Sequence, residues 1–483
     1  MESIQQIDSI ITTKINEALN SFVQGEAGSM EAETLLQEGL NAFACQLLKE
    51  ALENLDRQIR EEYRNTNRFH VVRVDSKSIM TTFGQVAFTR TLFHDLKTNE
   101  NRYLLDEHMG YTPHKRKTDA VDARLLANVA DLSYEKSGRR INERDPLSKN
   151  TVKNLIHSLE FPDEKPSVTK RQTETLYIEA DEDHCALQYK GDGGIKSEIV
   201  KMVYVHEGLA ERKVKKDGKL YKRRKLKNVH YFAGLYKGTK DNQELWDEVE
   251  RYIKETYDLD YVKHMYLMSD GGAWINAGKG IFENEKFILD EFHLSKYLKK
   301  MVSHLYDSAD DALREVKGII KDGTKDDFIA EITKLLEYAK TESEAARIEE
   351  AGSYIVSNWS AAKARLERKS NVLGCSAEGH VSHLLSDRLS SRPRAWSQKG
   401  LDKVARLRAY RANGFSIEEL VRYQKEVLSI AAGAENVPLS TAVIQRTRTC
   451  TSKDLGHYFD YFSHNLSLDT RKKASIQHHI NFG

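Results

Sequence analysis

The chain of 483 residues is 40% apolar and 30% charged, and its formal net charge is +1. This composition excludes fibrous and disordered proteins. The length predicts two to four domains, because it exceeds what one hydrophobic core normally organises. No stretch approaches the roughly 20 apolar residues of a membrane span, and the first residues lack the basic and apolar regions of a secretory signal. We therefore expect a soluble cytoplasmic protein without a membrane partner.

The four cysteines stand alone in the sequence, without a CxxC pair: Cys45, Cys185, Cys375 and Cys450. Isolated cysteines of this kind predict reduced thiols and exclude a zinc ribbon or a disulfide framework. The nearly neutral net charge conceals a local bias, since residues 212–227 contain ten Lys or Arg and one Asp. A basic segment of this kind attracts phosphates whatever the net charge of the chain.

Residues 1–66 are predicted to form an N-terminal helical region, because Leu36, Leu40 and Leu47 recur at helical spacing among Glu, Gln and Lys. Residues 67–165 are predicted to form a DNA-binding region with a β-ribbon and a helix-turn-helix-like unit. The ribbon covers 68–95, where β-branched and aromatic residues surround a turn at Phe83-Gly84.

The helix-turn-helix interpretation rests on residues 145–161. Asp145 or Ser148 can cap the helix, and Val152 and Ile156 pack inward. The opposite face carries donors suited to phosphates and base edges. These donors are Lys149, Asn150 and Lys153. An ordinary solvated helix has the same pattern and stays open as the alternative.

Two prolines near residue 165 end this region, and the following segment, 166–293, is predicted to be a mixed sheet with a helix on its face. Strands are predicted at 176–180, 199–208, 228–236 and 264–270, and a helix at 244–257. Residues 294–370 are predicted to be all-helical. Residues 371–412 contain a capped helix, and 413–483 form a polar tail with a short helix. The fold class is therefore α/β, with α+β character.

Three acids occupy comparable positions. Asp181 and Asp270 are each predicted to end a strand, and Glu378 to open a helix after a glycine-containing turn. Three such carboxylates could converge on the two divalent cations used for in-line phosphoryl transfer, and oxygen ligands select Mg²⁺ or Mn²⁺. Each acid alone also fits a simpler role, since Asp is common in turns and an acid is favourable in the first turn of a helix.

Four segments together resemble bacterial insertion-sequence transposases of the ISLre-two type, which are relatives of the Mutator-like DDE transposases. They are YIEADEDHCALQ, YLMSDGGAWI, FILDEFHLSKYL and GCSAEGHVSHLLSDRLSSRPRAWSQKGLDKVARLRAY. The resemblance spans about residues 70–412. It implies a ribonuclease-H-like core at 166–293 and 371–412, split by an all-helical insertion at 294–370.

The resemblance also implies function. Asp181, Asp270 and Glu378 would be the catalytic, metal-binding triad, holding two Mg²⁺ or Mn²⁺ ions. The expected activity is cleavage and transfer of DNA strands. The expected partners are double-stranded DNA, as terminal repeats and target, and further copies of the chain assembled on it. Asp183 has the same side-chain parity on an extended strand as Asp181, and it is therefore the alternative first ligand.

Asp290 and His293 form a D-x-x-H pattern that resembles a signature of Mutator-like enzymes, and we expect them to be structural or DNA-positioning residues. Trp396 is expected to have a similar role, and both Trp274 and Trp396 are candidates for stacking on bases, with burial in a core as the alternative. Further basic residues are expected to bind DNA phosphates. These are Arg212, Lys222, Arg223, Arg224, Arg388, Arg392 and Arg394.

Two other functions fit the same sequence. The first is a ribonuclease-H-like, metal-dependent nuclease that cleaves without strand transfer. The second is a DNA-binding protein whose catalytic site has decayed.

Overall fold

The structure is a computed structural model, and it describes residues 16–17, 20–25, 28–64, 66–112, 114–143, 145–164, 169–188, 196–216, 219–368, 372–392 and 394–432. The side chains of 211–224 and 427–432 lie outside this description. The chain divides into two compact units, one formed by 1–128, 134–152 and 418–483 and the other by 129–133 and 153–417. None of the described helices combines the length and the apolar composition needed to cross a membrane.

The first unit contains a long helix and a small antiparallel sheet. Strands β1 (Phe69–Met80), β2 (Gln85–Asp95) and β3 (Glu100–Arg102) lie in that order in the sheet, and helix α1 (Ser29–Tyr63) packs on β2. Strands β1 and β2 pair up to Met80 and Gln85, so the predicted ribbon with its turn at Phe83-Gly84 is confirmed. Ile59, Phe88 and Leu105 belong to the core beneath this sheet. Short helices follow: α2 (Leu104–His108), α3 (Asp119–Val129), α4 (Tyr134–Arg139) and α5 (Lys149–His157).

A mixed five-stranded sheet forms the centre of the second unit. Its strands are β4 (Thr175–Ala186), β5 (Ser197–His206), β8 (His230–Gly234), β9 (His264–Ser269) and β10 (Glu285–Leu289), in the order β10-β9-β4-β5-β8. Strand β5 is antiparallel to β4 and β8, whereas β9 is parallel to both β4 and β10. The predicted mixed α/β architecture is confirmed. Strands β6 (Leu209–Lys216) and β7 (Lys219–Leu226) form a separate two-stranded hairpin.

The prediction that Asp181 ends its strand is wrong. Strand β4 continues to Ala186, because it stays paired with β5 up to the pair Ala186 and Ser197. On its other side, the parallel ladder with β9 ends at Glu179 and Met268. Asp181 therefore lies in the interior of β4 but just past the end of the β4–β9 ladder.

The two faces of this sheet are covered by different elements. Helix α6 (Gly238–Thr256) covers the face that carries Ile178 and Leu267, with the buried ring of Trp246 in the shared core. A short 3-10 segment at Ala273–Gly278, directly after the β9 turn, packs on α6. The opposite face, with Tyr177 and Met268, packs against side chains from 364–375. Glu179 and Asp181 lie on the face opposite α6, because they alternate along β4 with Ile178 and Ala180.

Helices follow β10 without interruption by a strand in the described residues up to 368. They are α7 (Glu291–Val302), α8 (Ala309–Asp322), α9 (Lys325–Glu337), α10 (Glu342–Ser357) and α11 (Trp359–Glu367). They share one apolar cluster that includes Leu298, Ile320 and Ile355, and the helical prediction for this part of the chain is confirmed. The last helices are α12 (Ala377–Val381), α13 (Asp387–Leu389), α14 (Gln398–Ala412) and α15 (Ile417–Ala432), with a π-helical turn at Ser382–Ser386.

We predict that Gly278→Ala destabilises the second unit, because a Cβ at this position would lie 2.5 Å from three ring atoms of the buried Trp246. Overpacking of this kind costs about 1–3 kcal/mol. The loss is measured as the change in unfolding free energy in urea. Gly318→Ala is the matched control, because nothing lies within 4 Å of its Cβ position inside α8. Alanine there should raise the stability by up to about 1 kcal/mol. Equal effects of the two changes would contradict the packing described.

Candidate functional site

Parallel pairing places Asp181 and Asp270 side by side. Glu179 on β4 and Met268 on β9 are the last pair of the parallel ladder, and Asp181 and Asp270 each lie two residues beyond it. Their charges interact, as expected for neighbours. Both side chains leave the sheet on the same face, since strand faces alternate with period two. Neighbouring strands are roughly 4.8 Å apart. The two acids that sequence analysis separated by 89 residues are therefore adjacent in the structure.

A third aspartate continues this row. Leu289 on β10 is paired with Ser269 on β9, so Asp290 is level with Asp270. The backbone N–H of Asp290 donates to the carbonyl oxygen of Ser269 at 2.7 Å, which holds the two strand ends together. Three neighbouring strands thus present three aspartates in a line.

The carboxylates of this row influence one another. Burial raises the pKa of Asp181 to about 6, and the negative charges of Asp270 and Asp290 act in the same direction. A hydrogen bond from the backbone N–H of Glu182 to Oδ1 of Asp181, at 2.8 Å, opposes the shift. Like charges held close together and partly shielded from water favour protonation or a bound cation.

His293 is the hydrogen-bonding partner of the row. Asp290 caps helix α7, and its Oδ2 accepts hydrogen bonds from the backbone N–H of His293 at 3.2 Å and from its Nδ1 at 2.9 Å. This hydrogen bond, together with the charges of Asp270, Asp290 and Asp181, raises the pKa of His293 against the effect of burial. Although burial alone would raise it, the hydrogen bonds from His293 lower the pKa of Asp290. The D-x-x-H pattern is thus a helix cap that also places an imidazole beside the acids.

The glycines after Asp270 form a tight turn around its carboxylate. The N–H of Gly272 donates to Oδ1 of Asp270 at 2.8 Å. Gly271 has a φ of +84°, and a Cβ there would lie 2.8 Å from Oδ1 of Asn358. The hydroxyl of Tyr354, on α10, donates to the carbonyl oxygen of Asp270 at 2.5 Å. Glycine is required here for conformation and for space, and the helical segment fixes the turn.

The free oxygens of the two acids give the site its chemistry. Oδ2 of Asp181 and Oδ2 of Asp270 accept no hydrogen bond from the described part of the chain. Carboxylate oxygens are the ligands that Mg²⁺ and Mn²⁺ prefer. Asp181 and Asp270 therefore have the donor type and the spare oxygens that a divalent cation would require.

Glu378 lies on a different element. It is exposed on α12, which packs against β4, and its side chain forms no hydrogen bond or ion pair with any described residue. Among the described residues, no three His, Cys, Asp or Glu side chains are grouped closely enough to hold a metal ion. The structure brings Asp181 and Asp270 together, and convergence of Glu378 on them stays a prediction.

Sequence analysis missed Glu179, which is fully buried two residues before Asp181 on the same face of β4. It accepts hydrogen bonds from the hydroxyl of Tyr204 at 2.5 Å, Nε2 of His206 at 3.0 Å and the backbone N–H of Ser376 at 2.6 Å. Burial alone would raise its pKa, but the hydrogen bonds, first that from His206, lower it. The signal available in the sequence was a lone acid inside the otherwise apolar stretch 176–180.

Asp183 shares the face of Asp181, as parity predicted, but its side chain is engaged within the protein. Oδ1 accepts from the hydroxyl of Ser390 at 2.9 Å, and Oδ2 accepts from the thiol of Cys185 at 3.5 Å. Asp183 is also buried. These contacts favour Asp181 as the acid available to a ligand.

Of the two alternatives given for Trp274 and Trp396, burial in a core is confirmed, because they are only 8% and 7% exposed. Nε1 of Trp274 donates to Glu182 at 2.6 Å, and its ring stacks on that of Trp246. Nε1 of Trp396 donates to the carbonyl oxygen of Leu389 at 2.9 Å. Both indoles are structural, which agrees with the structural alternative given for Trp396.

The predicted DNA-contacting helix has the expected orientation. Ser148 caps α5 by accepting from the N–H of Thr151 at 3.2 Å, and Val152 and Ile156 are buried. The opposite face is exposed to solvent. It presents Lys149, Asn150 and Lys153.

The other predicted DNA-binding residues divide into three groups. Arg392 is exposed and Arg394 is half-buried. Arg388 needs correction, because it is 2% exposed, its Nε donates to the carbonyl oxygen of Val129 at 3.0 Å and its guanidinium lies over the ring of Trp396. The remaining four lie on the paired strands β6 and β7, with side chains outside the described residues. These are Arg212, Lys222, Arg223 and Arg224.

Comparison with known proteins identifies relatives along most of the chain. Residues 29–426 match the family described as "Uncharacterised protein family (UPF0236)". Three similar proteins are UPF0236 proteins of Caldanaerobacter subterraneus subsp. tengcongensis. One is 33% identical over 423 residues, covering 87% of this chain and 86% of the relative. The second is 31% identical over 447 residues, covering 92% of each. The third is 33% identical over 407 residues, covering 84% of this chain and 82% of the relative. The chain therefore belongs to the UPF0236 family.

Proposed function

We propose that this protein is a DDE-type DNA transposase that cleaves and transfers DNA strands at the ends of an insertion sequence. The observation that carries the proposal is that Asp181 and Asp270 each lie two residues beyond the last pair of the parallel β4–β9 ladder, and that their charges interact. Burial and the negative charge of Asp270 raise the pKa of Asp181. A buried acid with a perturbed pKa and a specific charge partner is more characteristic of functional sites than of structural ones.

The residues present fit a divalent metal. Asp181 and Asp270 would hold the ions through their spare oxygens, and the exposed Glu378 would complete the set from α12. Two such ions would supply activation of the attacking oxygen and stabilisation of the leaving oxygen. Mg²⁺, or Mn²⁺ in its place, suits all-oxygen ligands.

The protein's own groups would hold the reacting DNA and balance its charge. The hydrogen bond with Asp290 and the charges of Asp270, Asp290 and Asp181 raise the pKa of His293 and so favour its protonated form beside the proposed ligands. Cleavage and strand transfer are then the same displacement, with water as the nucleophile in the first and a DNA 3′-hydroxyl in the second. One site therefore serves both steps, and no covalent nucleophile from the protein is required.

The fold supports this proposal. The central sheet has β5 and β8 antiparallel, and β9 and β10 parallel, to the strand that carries Asp181. This arrangement is compatible with a ribonuclease-H-like core. The helices α7 to α11 stand between Asp290 and Glu378, where an all-helical insertion into such a core is expected.

The names of the relatives give independent support. One relative's name joins eleven locus designations of a single organism, and two others join four and two. A protein encoded at many loci of one genome is what a mobile genetic element produces by repeated insertion. A housekeeping nuclease gives no reason for such multiplication.

DNA binding is assigned to basic surfaces outside the acidic row. Lys149, Asn150, Lys153 and Arg392 are exposed, and the segment 212–227 contains ten Lys or Arg. Contacts to phosphates give affinity that falls steeply with salt and carries no sequence information. The partners would be terminal repeats and target DNA, bound by more than one copy of the chain.

Asp181→Asn, Asp270→Asn and Glu378→Gln are each expected to abolish Mg²⁺-dependent DNA cleavage, because each removes a ligand charge while keeping the side-chain shape. DNA retention in a gel-shift assay should persist. Asp183→Asn is the matched control on the same face of β4 and should retain cleavage, since Asp183 is bonded to Ser390. Full activity of any one of the three variants would remove that residue from the proposed triad. Full activity of both aspartate variants would end the proposal.

A pre-cleaved terminal repeat with a free 3′-hydroxyl separates a transposase from a nuclease. We expect joined products when this substrate is incubated with target DNA and Mg²⁺, because the same displacement serves cleavage and transfer. Asp270→Asn is the control and should give none. Shortened products without joined ones would favour the ribonuclease-H-like nuclease. DNA binding without either product would favour the decayed DNA-binding protein.

Without divalent ions, Asp181→Asn should raise the midpoint of thermal unfolding at pH 8 by about 2 °C or more. The pKa of Asp181 is raised from 3.8 to about 6, so its charge destabilises the folded state above pH 6. This destabilisation disappears as the pH falls through 6 towards 4, because Asp181 is then protonated in the folded state. The difference in unfolding midpoint between Asp181→Asn and the wild type should therefore decrease over the same pH range. A gain that is independent of pH would contradict the assignment.

A further inference from the structure

Helix α12 (Ala377–Val381) carries Glu378 and continues without a break through the π-helical turn Ser382–Ser386 into α13 (Asp387–Leu389). An isolated helix shorter than about 12–15 residues is only marginally stable in water. The position of α12, and with it the position of Glu378, must therefore be set by contacts with other elements. The structure shows two such contacts, one on each side of Glu378 in the chain.

The first contact precedes Glu378 and ends on a buried carboxylate. The backbone N–H of Ser376 donates to Oε2 of Glu179 at 2.6 Å, and its hydroxyl lies 3.2 Å from the same oxygen. The thiol of Cys375 donates to this oxygen at 3.3 Å. Three donors from two consecutive residues thus converge on one oxygen of a strand residue.

The second contact follows Glu378 and is made by aromatic rings. The ring of His380 stacks on Tyr204 with a centroid distance of 4.6 Å, and its Nδ1 lies 2.7 Å from the hydroxyl of Tyr231. Tyr204 also joins the first contact, because its hydroxyl is bonded to Glu179 at 2.5 Å and to the hydroxyl of Ser376 at 2.9 Å. Strands β4, β5 and β8 thereby hold the chain at residues 376 and 380.

A buried glutamate is a poor way to stabilise a fold. Removing a carboxylate from water costs several kcal/mol, and apolar replacements of buried charged networks are often neutral or stabilising. The hydrogen bonds of Glu179 instead fix the position of the Ser376 backbone. Glu179 also lies two residues from Asp181 on the same face. The same strand segment therefore locates both Asp181 and the turn that leads to Glu378.

We propose that Glu179 and Tyr204 are positioning residues that set the location of Glu378 relative to Asp181, and thereby the affinity of the acidic row for a divalent cation. Neither residue touches the ion; both act through the Ser376 turn and α12. This inference rests on the proposed function, because it assumes that Glu378 completes the metal-binding set.

The test uses Mn²⁺ alone as the probe, with the full chain and no DNA. The dissociation constant of Mn²⁺ is measured by titration calorimetry for the wild type, Glu179→Gln, Tyr204→Phe and Asp181→Asn, each checked to be folded at the assay temperature. Hydrogen exchange of residues 374–382 is measured in parallel. Tyr266→Phe is the matched control, because this buried tyrosine lies on the same face of the sheet and makes no hydrogen bond to the Ser376 turn.

We expect Glu179→Gln and Tyr204→Phe to raise the Mn²⁺ dissociation constant about 10-fold, the usual cost of losing a residue that orients a ligand. Exchange of residues 374–382 should become faster in both. Tyr266→Phe should change neither quantity. A stability effect without a role in positioning would slow or speed exchange across the whole sheet and leave Mn²⁺ affinity unaltered.

Unchanged Mn²⁺ affinity in Glu179→Gln and Tyr204→Phe, together with weakened binding by Asp181→Asn, would overturn this inference and leave the proposed function standing. Mn²⁺ affinity that Asp181→Asn does not reduce would overturn the proposed function itself, and the positioning role with it. Because Tyr204→Phe keeps the ring stacked on His380, it tests the hydrogen bonds separately from the packing.

Discussion

The parallel pairing of β4 with β9, and of β9 with β10, places Asp181, Asp270 and Asp290 in one row. No local feature of any of the three segments requires this. It follows from the register of the ladder, and a shift of one residue would move one acid to the opposite face of the sheet. Burial raises the pKa of Asp181, and the neighbouring negative charges of Asp270 and Asp290 add to this shift. The neighbouring elements can be understood by how they maintain this row.

Apolar packing supports the row on the face of the sheet covered by α6, and buried polar groups support it on the opposite face. Trp246 and Trp274 stack beneath the turn that follows Asp270. On the other face, the buried guanidinium of Arg365 on α11 donates to the carbonyl oxygens of Leu289 at 2.7 Å and Leu373 at 2.6 Å. It therefore joins the end of β10 to the segment that leads into α12. Together with Tyr354, it makes the helical segment part of the site's support.

Sequence reasoning succeeded where the signal was local. Alternating and helical periodicities predicted the ribbon at 68–95, the main strands of the mixed sheet and the helices after residue 294, because these patterns depend on near neighbours. It also identified Asp181 and Asp270 through their place beside apolar runs. The relative positions of the two acids could not be predicted, since the register of strand pairing depends on two segments that are distant in the sequence.

The errors have a common physical cause in long-range contacts. Strand β4 was ended too early because its continuation depends on pairing with β5. Arg388 was assigned to DNA because its burial depends on Val129, 259 residues away. The role of Glu179 depends on Ser376, 197 residues away. In each case, the partner that determines the structure or the role lies far away in the sequence.

The most direct test of the central claim is anomalous diffraction from crystals of the protein soaked in Mn²⁺. The account predicts an anomalous peak within ligating distance of the carboxylates of both Asp181 and Asp270. Mn²⁺ bound elsewhere, with no peak at these two aspartates under conditions that support metal-dependent cleavage, would contradict it.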